Sequence, residues 1–139
     1  MYRILLAVDE NEDRAHYQAD YIAERPGTES VEVCIIHAWS GDLESVPEES
    51  VGTQTVDHVG SVQAAVERFE EAGIDYDVID GAGDPGELVL DVAEDVNPSE
   101  IVMSRGKRSP VGKALFGSVT QKVLLNTDAP VVVINPGED

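Results

Sequence analysis

The sequence predicts an α/β fold, in which a parallel sheet of five strands is covered by helices on both faces in a three-layer sandwich. Apolar runs alternate along the chain with segments in which apolar residues recur at helical spacing. The apolar runs are nearly continuous, which is typical of strands that are buried on both faces. Strict alternation of strand and helix favours parallel pairing of the strands.

The first half of the chain predicts two strands and two helices. Tyr2–Val8 is rich in Ile, Leu and Val and predicts a buried strand, and residues 11–25 predict a helix that a Pro-Gly pair ends. Residues 31–39 form the second apolar run and predict the second strand. Residues 40–52 are polar and predict a connecting loop rather than a lid, before helical spacing resumes over residues 53–72.

The second half of the chain predicts three strands and two helices. Residues 76–79 form a short third strand, and the pair Asp84-Pro85 opens a helix that ends at an Asn-Pro pair. A fourth strand over residues 101–103, a helix from residue 118 to about 127, and a last strand over residues 130–134 complete the chain. We expect residues 1–139 to form a single domain.

The composition is strongly acidic, with 28 Asp and Glu against 9 Lys and Arg and a formal net charge of −19. This charge disfavours nucleic acid as a partner, because phosphate binding draws on basic surface. We interpret the acidity as adaptation to a salty cytoplasm. No run of apolar residues approaches the roughly 18 that a membrane helix needs, and no export signal is apparent, so we expect a cytoplasmic protein.

Positive charge is concentrated in residues 104–122, and no Asp or Glu occurs between residues 101 and 127. The window contains five of the nine bases: Arg105, Lys107, Arg108, Lys113 and Lys122. Glycines at three positions of the window permit close approach of a ligand to the backbone. Ser118 and Gln121 have the spacing of a capping box, which predicts a helix start at Ser118. The window therefore predicts an anion site, although bases that only offset the acidic surface are the alternative.

Asp9 and the basic window are expected to meet at one edge of the sheet. Asp9 closes the first strand, and the loop 104–117 follows the fourth strand. In parallel α/β sheets, ligands bind beyond the carboxyl ends of the strands, where the strand order reverses. We therefore expect both features to face one crevice, although they are far apart in the chain.

Metal binding by histidine is not expected, because His16, His37 and His58 share no short spacing. Carboxylates that follow the first strand could hold Mg²⁺ beside phosphates: Asp9, Glu10, Glu12 and Asp13. The last two could equally complement the dipole at the start of the first helix.

Several segments together resemble the universal stress protein family over nearly the whole chain. They are the opening ILLAVDENED, the segment GAGDPGELVLDVAED, the strand EIVM, the block RGKRSPVGKALFGSVTQKVL and the closing PVVVI. The resemblance implies an open sheet with the strand order 3-2-1-4-5. It also implies a homodimer joined through the last strand, residues 130–134, which would otherwise be an open apolar edge.

Nucleotide-binding members of this family carry the motif G-x-x-G, nine residues, then G-S or G-T. Gly117-Ser118 matches the last pair, whereas Ser104 and Lys107 stand at the two earlier glycine positions. The resemblance implies that Asp9 and the backbone of Ala38 contact adenine and ribose. It implies that the phosphates lie against the rest of the site: Ser104, Lys107, Arg108, Gly117, Ser118 and Val119.

The resemblance implies a cytoplasmic stress-response protein that binds ATP or another adenine nucleotide, with Mg²⁺ possible beside it, and that is not a fast enzyme. Two alternatives stay open. The missing glycines favour an interaction module that does not bind nucleotide, and the carboxylate of Asp9 would permit slow Mg²⁺-dependent hydrolysis.

Overall fold

The computed structural model describes residues 1–37, 60–79, 81, 83–105 and 117–135. Within these residues, the strands in chain order are β1 Tyr2–Val8, β2 Val31–His37, β3 Asp75–Ile79, β4 Glu100–Ser104 and β5 Val131–Ile134. The α-helices are α1 Glu12–Ala23, α2 Gly60–Ala72, α3 Pro85–Val96 and α4 Ser118–Asn126, and a 3-10 turn, Thr28–Ser30, precedes β2. The predicted loop 40–52 and residues 53–59 of the predicted second helix lie outside the described residues.

The five strands pair in parallel in one sheet of order β3-β2-β1-β4-β5, which confirms the predicted fold. β1 is the central strand. It pairs with β2 along its whole length, up to Val8 opposite His37, and with β4 on its other side, where Leu6 lies opposite Val102. Because β1 has a neighbouring strand on each side and helices above both faces, its residues Ile4 to Val8 are all buried.

Alternate side chains of β1 enter two separate apolar clusters. Ile4, Leu6 and Val8 pack with residues of α1 and α2 on one face of the sheet. Leu5 and Ala7 pack with residues of α3 and α4 on the other face. This alternation follows from the two-residue period of a strand, and it produces the three predicted layers.

Short polar side chains fix the starts of α1 and α3. Asn11 Oδ1 accepts a hydrogen bond from the Arg14 N–H at 2.8 Å, and Asp84 Oδ2 accepts one from the Glu87 N–H at 3.0 Å. Pro85 takes the first position of α3, where the N–H that it lacks has no partner within the helix. No helix among the described residues is long and apolar enough to cross a bilayer.

β4 is longer than the predicted strand by one residue at each end, and both added residues, Glu100 and Ser104, are buried although polar. Glu100 is only 5% exposed. Its carboxylate accepts hydrogen bonds from the Tyr2 hydroxyl at 2.5 Å and from Arg25 Nη2 at 3.1 and 3.2 Å. The Arg25 guanidinium also lies 5.2 Å from the ring centres of Tyr2 and Tyr21. This cluster joins β1, α1 and β4 at the end of the sheet where the strands begin.

Replacing Glu100 with Gln should lower the free energy of unfolding by about 3 kcal/mol, because it leaves the partly buried charge of Arg25 without a counter-charge. Urea denaturation of the two proteins measures this loss. Glu94→Gln is the matched control, since Glu94 is exposed on α3 and the same change there should cost no more than about 0.5 kcal/mol. Equal losses in the two variants would show that the Glu100 ion pair does not stabilise the fold.

Candidate functional site

The strand order reverses at β1, and this reversal locates the candidate site. The chain runs from β1 to β2 and β3 on one side and places β4 and β5 on the other. The helices follow the same division, with α1 and α2 on one face and α3 and α4 on the opposite face. The ends of β1 and β4 therefore lie side by side without a helix crossing between them, which is where such sheets bind ligands. We call the ends of β1 and β4 together with the start of α4 the switch-point site.

Asp9 follows β1 at this site, as predicted, and both of its carboxylate oxygens accept hydrogen bonds. Oδ2 lies 2.8 Å from Arg14 Nε in an ion pair, and Oδ1 accepts from the Asn11 N–H at 2.9 Å. The Asp9 side chain is 20% exposed and the Arg14 side chain 8%. Asp9 is therefore held in one orientation and its charge is balanced by a base that the sequence had not indicated as part of the site.

His37 is a further residue at this edge that the sequence pattern did not identify as part of the site. It ends β2 directly opposite Val8, next to Ala38 in the chain. Burial lowers the pKa of His37, while the nearby carboxylates of Glu10 and Asp9 act in the opposite direction. Burial therefore favours the neutral form of this imidazole, which lies beside the end of β1. The sequence contained one signal for this placement, because His37 lies near the end of the apolar run that predicts the second strand.

Hydrogen bonds fasten the start of α4 to the end of β4. The Thr120 hydroxyl, which is buried, donates to the Ser104 carbonyl at 2.8 Å. Arg105 is held on both sides, because its N–H donates to the Ile134 carbonyl at 3.2 Å and its carbonyl accepts from the Gly117 N–H at 2.8 Å. Ser104, Gly117 and the first turn of α4 are therefore brought together, as the sequence predicted for this end of the sheet.

The start of α4 differs from the predicted capping box. Gly117 is the N-cap, with φ −63° and ψ 162°, and Ser118 is already the first helical residue, so its hydroxyl is not in the capping position. No side chain of the described residues caps this end. The predicted helix start at Ser118 is therefore confirmed, whereas the capping box is wrong, because Gly117 and not Ser118 occupies the N-cap position. The Gly117 N–H donates to Arg105, and the first bond within the helix comes from the Gln121 N–H, so the amides of Ser118, Val119 and Thr120 are the first-turn donors without a partner inside the helix.

Lys122 does not belong to the switch-point site, although it was counted in the basic window. Its Nζ lies 3.2 Å from Asp84 Oδ2 and 3.4 Å from Glu87 Oε1, at the start of α3. The hydrogen bond with Asp84 raises the pKa of Lys122. The reason is geometric: Lys122 lies one turn beyond Ser118 on α4 and faces the neighbouring helix, so it joins two helices instead of facing a ligand.

Arg105 is the one base of the window, besides Lys122, that the structure describes. Its side chain is half-buried at the end of β4, and its Nε is shielded from solvent without a hydrogen-bond partner among the described residues. The guanidinium still carries a positive charge, which attracts anions to this end of the sheet. The predicted contacts Ala38, Lys107 and Arg108 lie outside the described residues.

The described residues contain no group of three or more His, Cys, Asp or Glu arranged to hold a metal ion. Glu12 and Asp13 lie in the first turn of α1, where carboxylates complement the helix dipole. Asp9, which was considered for Mg²⁺ together with Glu10, is ion-paired with Arg14.

Sequence comparison agrees with this geometry. The sequence profile of the Universal stress protein family matches residues 1–135. A universal stress protein of Mycolicibacterium smegmatis is 30% identical over 78 residues, which is 55% of this chain and 60% of that relative. The aligned segment thus spans less than two thirds of the relative's length.

Solved structures of similar proteins share the whole fold. A universal stress protein from Archaeoglobus fulgidus superposes with a TM-score of 0.75 at 28% identity, covering 96% of this chain and 98% of that one. The structure of the universal stress protein from A. fulgidus in complex with dAMP superposes with a TM-score of 0.68 at 24% identity and the same coverage. Since the family profile spans nearly the entire sequence and the sheet order is the one that the resemblance implied, the chain belongs to the universal stress protein family.

Proposed function

We propose that this protein binds an adenine nucleotide at the switch-point site and acts through binding rather than through fast catalysis. The observation that carries the proposal is the start of α4, which no described side chain caps. This helix start is hydrogen-bonded to the end of β4, and β4 is the neighbour of β1, the strand that Asp9 follows. Free amides at the amino end of a helix, together with the helix dipole, form a favourable place for a phosphate group.

Each part of the site has a role in this proposal. The amides of Ser118 and Val119 would donate to phosphate oxygens, and Arg105 would add positive charge from the end of β4. Ser104, Lys107, Arg108 and Gly117 are proposed to border the same phosphates. The carboxylate of Asp9 accepts hydrogen bonds only, so it suits ribose hydroxyls or an adenine amino group. The backbone of Ala38 is proposed to contact the base.

The dAMP complex of the A. fulgidus protein supports an adenine nucleotide as the ligand to test first. The sequence resemblance implies ATP or another adenine nucleotide, with Mg²⁺ possible beside it. The ion pair of Asp9 with Arg14 disfavours the hydrolase alternative, because the guanidinium already balances the negative charge with which the carboxylate would hold a metal ion.

We also propose a homodimer joined through β5. All four β5 residues are only partly buried, and β5 is the last strand of the sheet order. The carbonyls of Pro130 and Ile134 face β4, so the backbone groups of Val131 and Val133 point toward the open edge. Leu125 of α4, the helix that precedes β5 in the chain, is also 74% exposed.

Ser118→Pro should weaken ATP binding about tenfold or more, because it removes one donor amide, and hydrogen bonds to charged groups are worth about 1.5–3 kcal/mol. Proline is tolerated at the first helical position, and the extended Gly117 before it is compatible with proline, so α4 should still form. Ser118→Ala is the control, since it removes the hydroxyl and keeps the amide. Isothermal titration with ATP and adenosine measures both effects. Unchanged ATP affinity in Ser118→Pro would exclude the α4 amide as a phosphate donor.

Mass spectrometry of the gently purified protein tests the ligand class directly. We expect bound adenine nucleotide, or an increase in melting temperature on adding ATP to protein that was purified empty. Protein that carries no ligand and does not respond to ATP, ADP or AMP would favour the interaction module instead. Release of phosphate on adding Mg²⁺ and ATP would favour the hydrolase.

Val133→Pro should convert the proposed dimer to a monomer, because it removes an N–H from the open edge of β5, and proline is acceptable in edge strands. Val133→Thr has nearly the same shape and keeps the N–H, so it should remain dimeric. Light scattering after size-exclusion chromatography distinguishes one chain mass from two. A wild-type monomer, or a dimeric Val133→Pro protein, would contradict pairing through β5.

A further inference from the structure

We propose that Arg14 is a positioning residue of the switch-point site, which fixes the carboxylate of Asp9 and cancels its charge so that an anionic ligand can lie against it. This inference rests on the nucleotide binding proposed above. It explains how a strongly acidic protein can bind an anionic ligand. Arg14 would thereby set how strongly the site prefers phosphorylated ligands over the neutral nucleoside.

Arg14 is held rigidly on the inner face of α1. It is 7% exposed and lies one turn before Gln18, which is fully buried on the same face. Gln18 Nε2 donates to the Ala7 carbonyl at 2.8 Å, so this face of α1 is fastened to the end of β1. The Arg14 N–H is also fixed, by the side chain of Asn11 at 2.8 Å. The guanidinium therefore stands at a defined place beside Asp9.

The position of Arg14 is unfavourable for a base unless Asp9 compensates for it. Arg14 belongs to the first turn of α1, where the helix dipole disfavours positive charge. Removing a guanidinium from water costs further free energy. Alanine would serve helix formation better at this position. The ion pair at 2.8 Å offsets both costs. It also leaves the carboxylate at the end of β1 with its negative charge neutralised.

The balance matters because the surrounding sequence is acidic. Asp9 is followed by Glu10, Glu12 and Asp13, and Arg14 is the only Lys or Arg between Asp9 and Ile22. An unpaired Asp9 would add a further negative charge at the edge where phosphates are expected to bind. Each oxygen of Asp9 accepts one described hydrogen bond and has a second lone pair, so a neutralised Asp9 can still accept from a hydroxyl or an amine.

Three variants that remove one charge or both test this role through the ratio of ATP affinity to adenosine affinity. In Arg14→Gln the uncompensated carboxylate should lower the ratio about tenfold at low salt, chiefly by weakening ATP. In Asp9→Asn the uncompensated guanidinium should raise the ratio, while adenosine itself binds more weakly. The double variant should return the ratio to that of the wild type. Titration calorimetry with adenosine, AMP, ADP and ATP provides the measurements, and circular dichroism confirms that each variant is folded.

The possible results separate the two proposals. If Arg14→Gln weakens adenosine and ATP by the same factor, Arg14 has only a structural role and the inference is overturned, while nucleotide binding stands. If Arg14→Gln fails to fold, Asp9→Asn decides, because an unchanged or lowered ratio in that variant also overturns the inference. If the wild-type protein binds none of the four ligands, the proposed function fails, and the role of Arg14 fails with it.

Discussion

The hydrogen bond from the buried Thr120 hydroxyl to the Ser104 carbonyl is the interaction on which the arrangement of the site depends. It fastens the first turn of α4 to the end of β4, and the contact between Gly117 and Arg105 closes the same junction. The parallel sheet then brings the ends of β1 and β4 together, because all strands end at one edge. A helix amino end and the carboxylate of Asp9 thus reach neighbouring positions from distant parts of the chain.

The fold could be predicted from the sequence because its signals are local and repeated. Apolar runs marked the strands, and the Asp84-Pro85 pair marked a helix start that the structure confirms. The ends of β4 were missed because Glu100 and Ser104 are polar, and their burial depends on Tyr2, Arg25 and Thr120, which are remote in sequence. Local patterns do not contain that information.

The places of the candidate site residues in the fold were predictable, whereas the ion pairs that their neighbours form were not. The sequence identified Asp9, Ser104, Gly117 and Ser118, whose backbone positions follow from strand ends and a helix start. Net charge over a window does not tell which way each side chain points. Lys122 pairs with α3, whereas Arg14, which lies outside the basic window, pairs with Asp9. The capping box failed for a related reason, since a shift of one residue turns a capping side chain into a first-turn residue.

The polar cluster around Glu100 and the switch-point site lie at opposite ends of the strands. This separation has a consequence for ligand binding. Glu100, Arg25 and Tyr2 join β1, α1 and β4 where the strands begin, so the layers are tied together far from the switch-point site. The site can then keep features that add little to stability, such as a helix start that no described side chain caps and a base in the first turn of α1. Under the proposed function, an anion at this end of the strands would interact favourably with the amino end of α4 and would recover part of what an uncapped end costs.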